Sequence, residues 1–213
     1  MTEQEVLKIL NSVNAVMEGH FVYTSGLHGN FYVNKDAVYP HTHLISKLCE
    51  ELAYRFKDHN VDVVIGPAMG GIILSQRVAE HMSKMTGKNV LSVFAEPIPV
   101  VSGKAFGIKR GQDKFILNRN VLVVEDILNT GISACAVVDT TRAFGGKVVG
   151  VGAICNRGGV TTSDLGDVPL LHSLINISLK TEDEKGCSLC ARGVPINTDV
   201  GKGREFLARK SQT

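Results

Sequence analysis

No apolar run in the sequence approaches the roughly 20 residues that a helix needs to cross a bilayer, so no membrane span is expected. Charge of one sign is equally lacking. The 23 lysines and arginines against 21 acids leave a net charge of +2, and the cations are dispersed. That excludes the polybasic face that nucleic acid or an acidic membrane would select. The opening MTEQEVLKIL carries acids where an export signal needs cations, so a cytoplasmic location is expected. Cysteine is sparse, and five is an odd number; reduced thiols fit better than a disulfide framework. There is no internal repeat and no low-complexity segment. What is present, 213 residues of which 44% are hydrophobic, suffices for one domain with a full core.

The stretch Val121 to Ser133, VLVVEDILNTGIS, organises the rest. Val121 to Val124 is a β-branched apolar run of the kind buried on both faces of a parallel sheet. Glu125 and Asp126 stand where that strand is expected to end. Thr130-Gly131 follows as a turn, then a helix with Ala134, Val137, Val138 and Thr141. Carboxylates accept hydrogen bonds from sugar hydroxyls, and a turn leading into a helix offers N–H groups to a phosphate. An acidic pair that merely ends a strand is the plain alternative; the added Thr-Gly and Ser at this spacing favour a sugar-phosphate seat.

Elsewhere the pattern alternates strand and helix. Val6, Leu10, Val13 and Met17 predict an amphipathic first helix that Gly19 ends. Phe21 to Tyr23 and Phe31 to Val33 flank the turn-rich TSGLHGN and predict a hairpin. Leu44, Leu48, Leu52 and Phe56 predict a second helix, which Thr42 could cap. Val61 to Ile65 is a buried strand running into Gly66-Pro67-Ala68-Met69-Gly70-Gly71, and a helix through Met82 follows. A glycine-rich βα turn lets the backbone approach an anion, although an ordinary βα turn reads much the same. Val90 to Phe94 and Lys147 to Cys155 are further strands, the latter ending at Asn156-Arg157-Gly158-Gly159; His172 to Ile177 is the last.

Between them, Ala95 to Asn120 lacks clear periodicity and holds Lys104, Lys109, Arg110 and Lys114 among glycines. Such a loop suits a basic lid over an anionic leaving group; its plain alternative is a solvated hairpin pairing residues 106–108 with 114–116. Arg157 beside two glycines suits a carboxylate grip, or is simply a surface arginine in a turn. Cys187 and Cys190 supply two thiols where structural zinc wants four ligands, and the seven histidines show no ligand spacing in the sequence; His41 and His43 fit a helix entry.

These motifs resemble those of the type I phosphoribosyltransferases, and the YTSG…FYVN hairpin resembles the N-terminal hood of orotate phosphoribosyltransferases. The resemblance implies an α/β fold with a mostly parallel central sheet flanked by helices. It implies one phosphoribosyltransferase domain over 1–213, with a hood of about 1–40 plus part of the C-terminal tail and a core of about 41–180. Transfer of the 5-phosphoribosyl group from phosphoribosyl diphosphate (PRPP) to orotate would follow. The products would be orotidine 5′-phosphate and diphosphate, as in de novo pyrimidine biosynthesis. By position, PRPP falls to Ala68, Met69, Gly70 and Gly71 and to Glu125, Asp126, Ile127, Leu128, Asn129, Thr130, Gly131, Ile132 and Ser133. The base falls to Ser25, Gly26, Phe31, Tyr32 and Arg157, and catalysis to Lys104, Lys109, Arg110 and Asp126. Mg²⁺ is the implied cofactor, carried by substrate oxygens with no direct protein ligand, and a homodimer is the implied assembly. Thr24, Gly70 and Pro97 stand where many members carry a cation. The alternatives are a PRPP- or nucleotide-binding regulatory protein with weak or no catalysis, and a transferase for another base.

Overall fold

The computed structural model describes residues 1–177 and 181–210. In chain order the elements are α1 (Glu3–Ser12), β1 (Val16–Val22), β2 (His28–Val33), α2 (Thr42–Phe56), β3 (Val63–Pro67), α3 (Gly70–Thr86), β4 (Leu91–Ile98) and β5 (Ala105–Gly107). They continue with β6 (Asn120–Leu128), α4 (Ile132–Ala143), β7 (Lys147–Asn156), β8 (Leu171–Asn176), β9 (Thr181–Glu182), α5 (Ser188–Ala191) and α6 (Gly203–Lys210). Among these described residues no helix is long and apolar enough to cross a membrane. Two compact units result: Met1–Val6 with Thr42–Ile177, and Leu7–His41 with residues 178–213.

The first unit is the type I phosphoribosyltransferase-like fold, a six-stranded sheet in the order β5-β4-β3-β6-β7-β8. All neighbours are parallel except β5, which returns antiparallel on β4. Register assigns the faces. Val63, Ile65, Val121, Val123, Val151 and Ala153 form one apolar layer with Ala134, Val137 and Val138 of α4. The alternate row faces α2 and α3: Ser92 Oγ donates to Ser75 Oγ at 3.1 Å, and Gly150 and Gly152 lie against the Phe56 ring. The glycines are what make room. A Cβ on Gly150 would come within 2.8 Å of that ring, so β7 offers a notch into which Phe56 of α2 seats.

In the second unit β1 and β2 form an antiparallel hairpin, and β9 adds to the edge of β2. Tyr23 reaches across to donate its hydroxyl to the Phe31 carbonyl at 2.5 Å; its ring occupies the space a side chain at Gly29 would need.

Three expectations need correction. The first helix stops at Ser12, so Val13 and Met17 lie outside it and Gly19 sits within β1. Asn14 takes φ 54° and Ala15 N–H caps the Leu10 carbonyl at 2.8 Å, a left-handed stop that helical spacing cannot reveal. The Ala95–Asn120 stretch is less irregular than expected. β4 runs on to Ile98, and its partner is Ala105–Gly107 (Glu96 opposite Gly107), not residues 114–116. Finally, Glu125 and Asp126 lie within β6 rather than beyond it, because β7 goes on pairing as far as Leu128 opposite Asn156.

Phe56→Ala is expected to cost about 3–5 kcal/mol, since β7 has no side chains at Gly150 and Gly152 to refill the notch. Urea unfolding measures this, and a loss under about 1 kcal/mol would contradict the seating.

Candidate functional site

The sheet reverses its direction of growth between β3 and β6. From β3 the chain passes through α3 to β4 on one side; from β6 it passes through α4 to β7 on the other. A crevice opens at the carboxyl ends of two such strands, because their following loops diverge to opposite faces. Here the β3–β6 pairing ends at Ile65 opposite Val123, before either acid is reached. Glu125 and Asp126 are therefore flanked in the sheet by β7 alone, at 7% and 4% exposure. The Glu125 carboxylate accepts from Asp126 N–H at 3.1 Å, and Asp126 accepts from Ile127 N–H at 2.8 Å.

One wall is the turn from β3 to α3. A Cβ on Gly66 would lie 2.7 Å from Gly71 Cα, and one on Gly71 would lie 2.5 Å from the Gly66 carbonyl carbon. The turn thus closes backbone against backbone, and Ala68 N–H ties it to the Ala95 carbonyl of β4 at 2.8 Å. Met69 projects from it, 81% exposed. No side chain caps α3, so its first N–H groups face the turn that carries Ala68 to Gly71.

The other wall is Asn129 to Ser133, entering α4. Gly131 takes φ 75° as N-cap and supplies no side-chain cap, and a Cβ there would press on Val160 at 3.0 Å. Beside it runs the turn after β7. Arg157 and Gly158 both donate their N–H groups to the Leu128 carbonyl, at 3.0 and 3.2 Å. Arg157 Nε donates to Asn129 Oδ1 at 3.3 Å. Any Cβ on Gly158 would fall 1.5 Å from the Asn129 carbonyl oxygen, so these loops touch through bare backbone. Asn156, which sequence reasoning passed over, braces the turn by exchanging two hydrogen bonds with Val160. Its one sequence signal was its place at the strand end before Arg-Gly-Gly. Burial pushes the neighbouring Cys155 thiol up to about 12 despite nearby Arg157, so it is inert as a nucleophile.

Of the three loop cations expected to serve catalysis, Lys104 is the one that reaches this region: its Nζ donates to Ser133 Oγ at 3.0 Å. Arg110 is engaged by Glu96 at 2.8 Å, which holds the Glu96 carboxyl below its ordinary range and raises the guanidinium. Lys109 is exposed on the same ribbon. In the second unit, Ser25 and Gly26 form the hairpin turn, where Gly26 takes φ 83°. Phe31 lines a cleft with Asn30, Glu182, Ser188, Leu189 and Arg192. Tyr32 instead packs its ring 5.5 Å from that of Phe21. Adjacent strand positions point to opposite faces, so Phe31 and Tyr32 do not share one pocket wall.

Chemically, the crevice offers buried carboxylate oxygens between two uncapped helix entries, with a lysine at one of them. That set suits a polyhydroxylated ligand with phosphate at both ends. Gly158→Ala is expected to cost roughly 1–3 kcal/mol, because two backbones must part. A variant with an unchanged urea midpoint would show that they do not touch.

The family described as "Phosphoribosyl transferase domain" matches residues 37–168. An orotate phosphoribosyltransferase of Desulforamulus reducens is 36% identical over 195 residues, 92% of this chain and 95% of that one. One of Thermotoga maritima is 35% identical over 200 residues, 93% and 98% of the two chains. Among solved structures, Mycobacterium tuberculosis orotate phosphoribosyltransferase bound to PRPP superposes with TM-score 0.62 at 18% identity, covering 82% of this chain and 96% of that one. The Aeropyrum pernix enzyme superposes with TM-score 0.60 at 21% identity, covering 80% and 93%. At such identities the structures speak for the fold.

Proposed function

The chain belongs to the phosphoribosyltransferase family, and we propose that it is an orotate phosphoribosyltransferase. It transfers the 5-phosphoribosyl group from PRPP to orotate, giving orotidine 5′-phosphate and diphosphate. One observation carries the reading: two buried carboxylates at the β3–β6 divergence, set between uncapped helix entries, in a chain sharing about a third of its residues with such enzymes over nearly its whole length.

In this reaction the anomeric carbon loses its bond to diphosphate oxygen and gains one to the orotate ring nitrogen. No side chain need attack. Glu125 and Asp126 accept from the ribose hydroxyls, and the N–H groups of Asn129 to Ser133 hold the 5′-phosphate. The turn from Ala68 to Gly71 receives the diphosphate. Lys104 brings positive charge to the phosphate loop, with Lys109 and Arg110 on the same ribbon as further candidates. Positive charge grows on the sugar as diphosphate departs, so fixed geometry and charge neutralisation supply the acceleration. The resemblance of the hairpin motif supports Ser25 and Gly26, with either Phe31 or Tyr32, as contacts to the base, and that of the Asn156-Arg157-Gly158-Gly159 turn supports Arg157 as the planar grip on its carboxylate.

Mg²⁺ is the proposed cofactor. Substrate oxygens and retained water would carry it, with no direct protein ligand, and the ion would neutralise diphosphate. A cytoplasmic homodimer, with residues 1–213 acting as one phosphoribosyltransferase domain, completes the proposal.

Loss of orotate absorbance on mixing with PRPP and Mg²⁺ tests this directly. Asp126→Asn is expected to lower kcat/KM by about 100-fold or more without unfolding the chain. PRPP binding without turnover of any base would instead identify a regulatory protein. Arg157→Ala is expected to raise the KM for orotate by about tenfold or more and leave that for PRPP within about twofold. Equal losses for both substrates would refute the carboxylate assignment.

A further inference from the structure

Within the second unit, four side chains far apart in sequence converge on one point. His20 lies in the irregular stretch of β1 between Glu18 and Phe21, and its Nε2 stands 2.9 Å from Nδ1 of His28, which pairs with Val22, so both imidazoles converge on one side of the hairpin. Cys187 precedes α5 and Cys190 lies in its first turn; Cys190 N–H donates to Cys187 Sγ at 3.4 Å. One nitrogen from each histidine and one sulfur from each cysteine all lie within 4.8 Å of one another. His20, His28 and Cys187 are buried, and Cys190 is half-buried.

The tautomer of a neutral His20 ring is set by its partner. Its Nδ1 sits 2.8 Å from the Val194 carbonyl, which can only accept, so in the neutral ring Nδ1 carries the hydrogen and Nε2 presents a lone pair. Three heteroatoms crowd that single lone pair: His28 Nδ1 at 2.9 Å, Cys187 Sγ at 3.6 Å and Cys190 Sγ at 3.7 Å. Cys190 Sγ also lies 3.4 Å from His28 Nδ1. One lone pair can accept one proton, so hydrogen bonding does not account for the convergence.

A tetrahedral cation does account for it. Zinc bonds of about 2.0–2.1 Å to nitrogen and 2.3 Å to sulfur place nitrogen about 3.6 Å from sulfur, and two nitrogens about 3.4 Å apart. The three nitrogen–sulfur spacings held by the fold, 3.6, 3.7 and 3.4 Å, already match, and the histidine nitrogens, 2.9 Å apart, need part by only about half an ångström. We propose that His20, His28, Cys187 and Cys190 form a structural Zn²⁺ site that staples the C-terminal tail to the hairpin. The donors are borderline to soft, which selects zinc over Mg²⁺. On binding, Zn²⁺ displaces the two thiol protons and forms two zinc–thiolate bonds, leaving a neutral centre fit for burial. The His20 Nδ1–H bond to Val194 fixes the ligand's orientation. No open coordination position remains, so the site is structural rather than catalytic.

The full chain, expressed with zinc in the medium and purified without chelator, is expected to carry one zinc per chain. Titration of the stripped protein with Co²⁺ should give a sulfur-to-cobalt charge-transfer band and the intense visible bands of tetrahedral cobalt. Replacing both Cys187→Ser and Cys190→Ser should cut metal content at least about tenfold, whereas Cys135→Ser should not change it. Should the double variant fail to fold, the cobalt spectrum of the unaltered chain still decides. Three results would overturn the proposal: no metal and no Co²⁺ uptake; weak octahedral-type bands; or a Cys187–Cys190 disulfide in freshly purified protein. Because metal content and the cobalt spectrum are read without substrate, failure here leaves the proposed transferase activity standing, and the reverse also holds.

Discussion

Everything in the first unit depends on the failure of β3 and β6 to remain paired beyond Ile65 and Val123. Had the ladder continued, Glu125 and Asp126 would have a strand on each side and no ligand could approach them. β3 itself runs on beside β4 as far as Pro67 before the chain turns, and Gly66 is packed tightly there. Its contact with Gly71 is made by backbone atoms, and Val124 O would lie 2.9 Å from a Gly66 Cβ. The same device recurs across the crevice, where Gly158 meets the Asn129 carbonyl. Both walls of the site are therefore set by the closest approach that a polypeptide permits. No flexible side chain intervenes to loosen them.

This explains which parts were legible in the sequence. Glycines at Gly66, Gly71, Gly131 and Gly158 mark places where the chain has no room for a Cβ or turns left-handed, and such marks are local. The apolar runs of β3 and β6 were equally plain, because a strand covered on both faces has no polar alternation to confuse it. The signals failed where a distant partner decides the outcome. β6 carries its two acids inside the strand because β7 happens to extend as far. Residues 105–107 are a strand because Glu96 to Ile98 lie beside them. The first helix had a faultless spacing through Met17, yet one asparagine in the left-handed region ended it.

The site shows the same division. The phosphate loop and both acids were named from contiguous residues. The link from Arg157 to Asn129 spans 28 positions, and that from Lys104 to Ser133 spans 29; neither leaves a trace in local pattern. Arg110 carried the charge expected of a loop cation, but Glu96 across the ribbon engages it. The histidines are the extreme case. His20 and Cys187 stand 167 positions apart, so no ligand spacing could have joined them before the hairpin and tail were brought together.

The second unit has a physical need that the first lacks. Among its described residues the buried apolar set is short, with Phe21, Val22, Val33, Leu189 and Phe206 among its members, and its chain comes from two distant segments. Units of this size rarely hold together on apolar burial alone and are commonly cross-linked. A disulfide between Cys187 and Cys190 would not answer that need. It would close a loop of a few residues and attach the tail to nothing but itself. Ligation that also includes His20 and His28 joins the tail to both strands of the hairpin, where the Asn197 N–H already donates to the His20 carbonyl at 2.7 Å. The pairing of two thiols with two hairpin imidazoles is thus the one arrangement of these side chains that converts a short motif into a tether between the two segments.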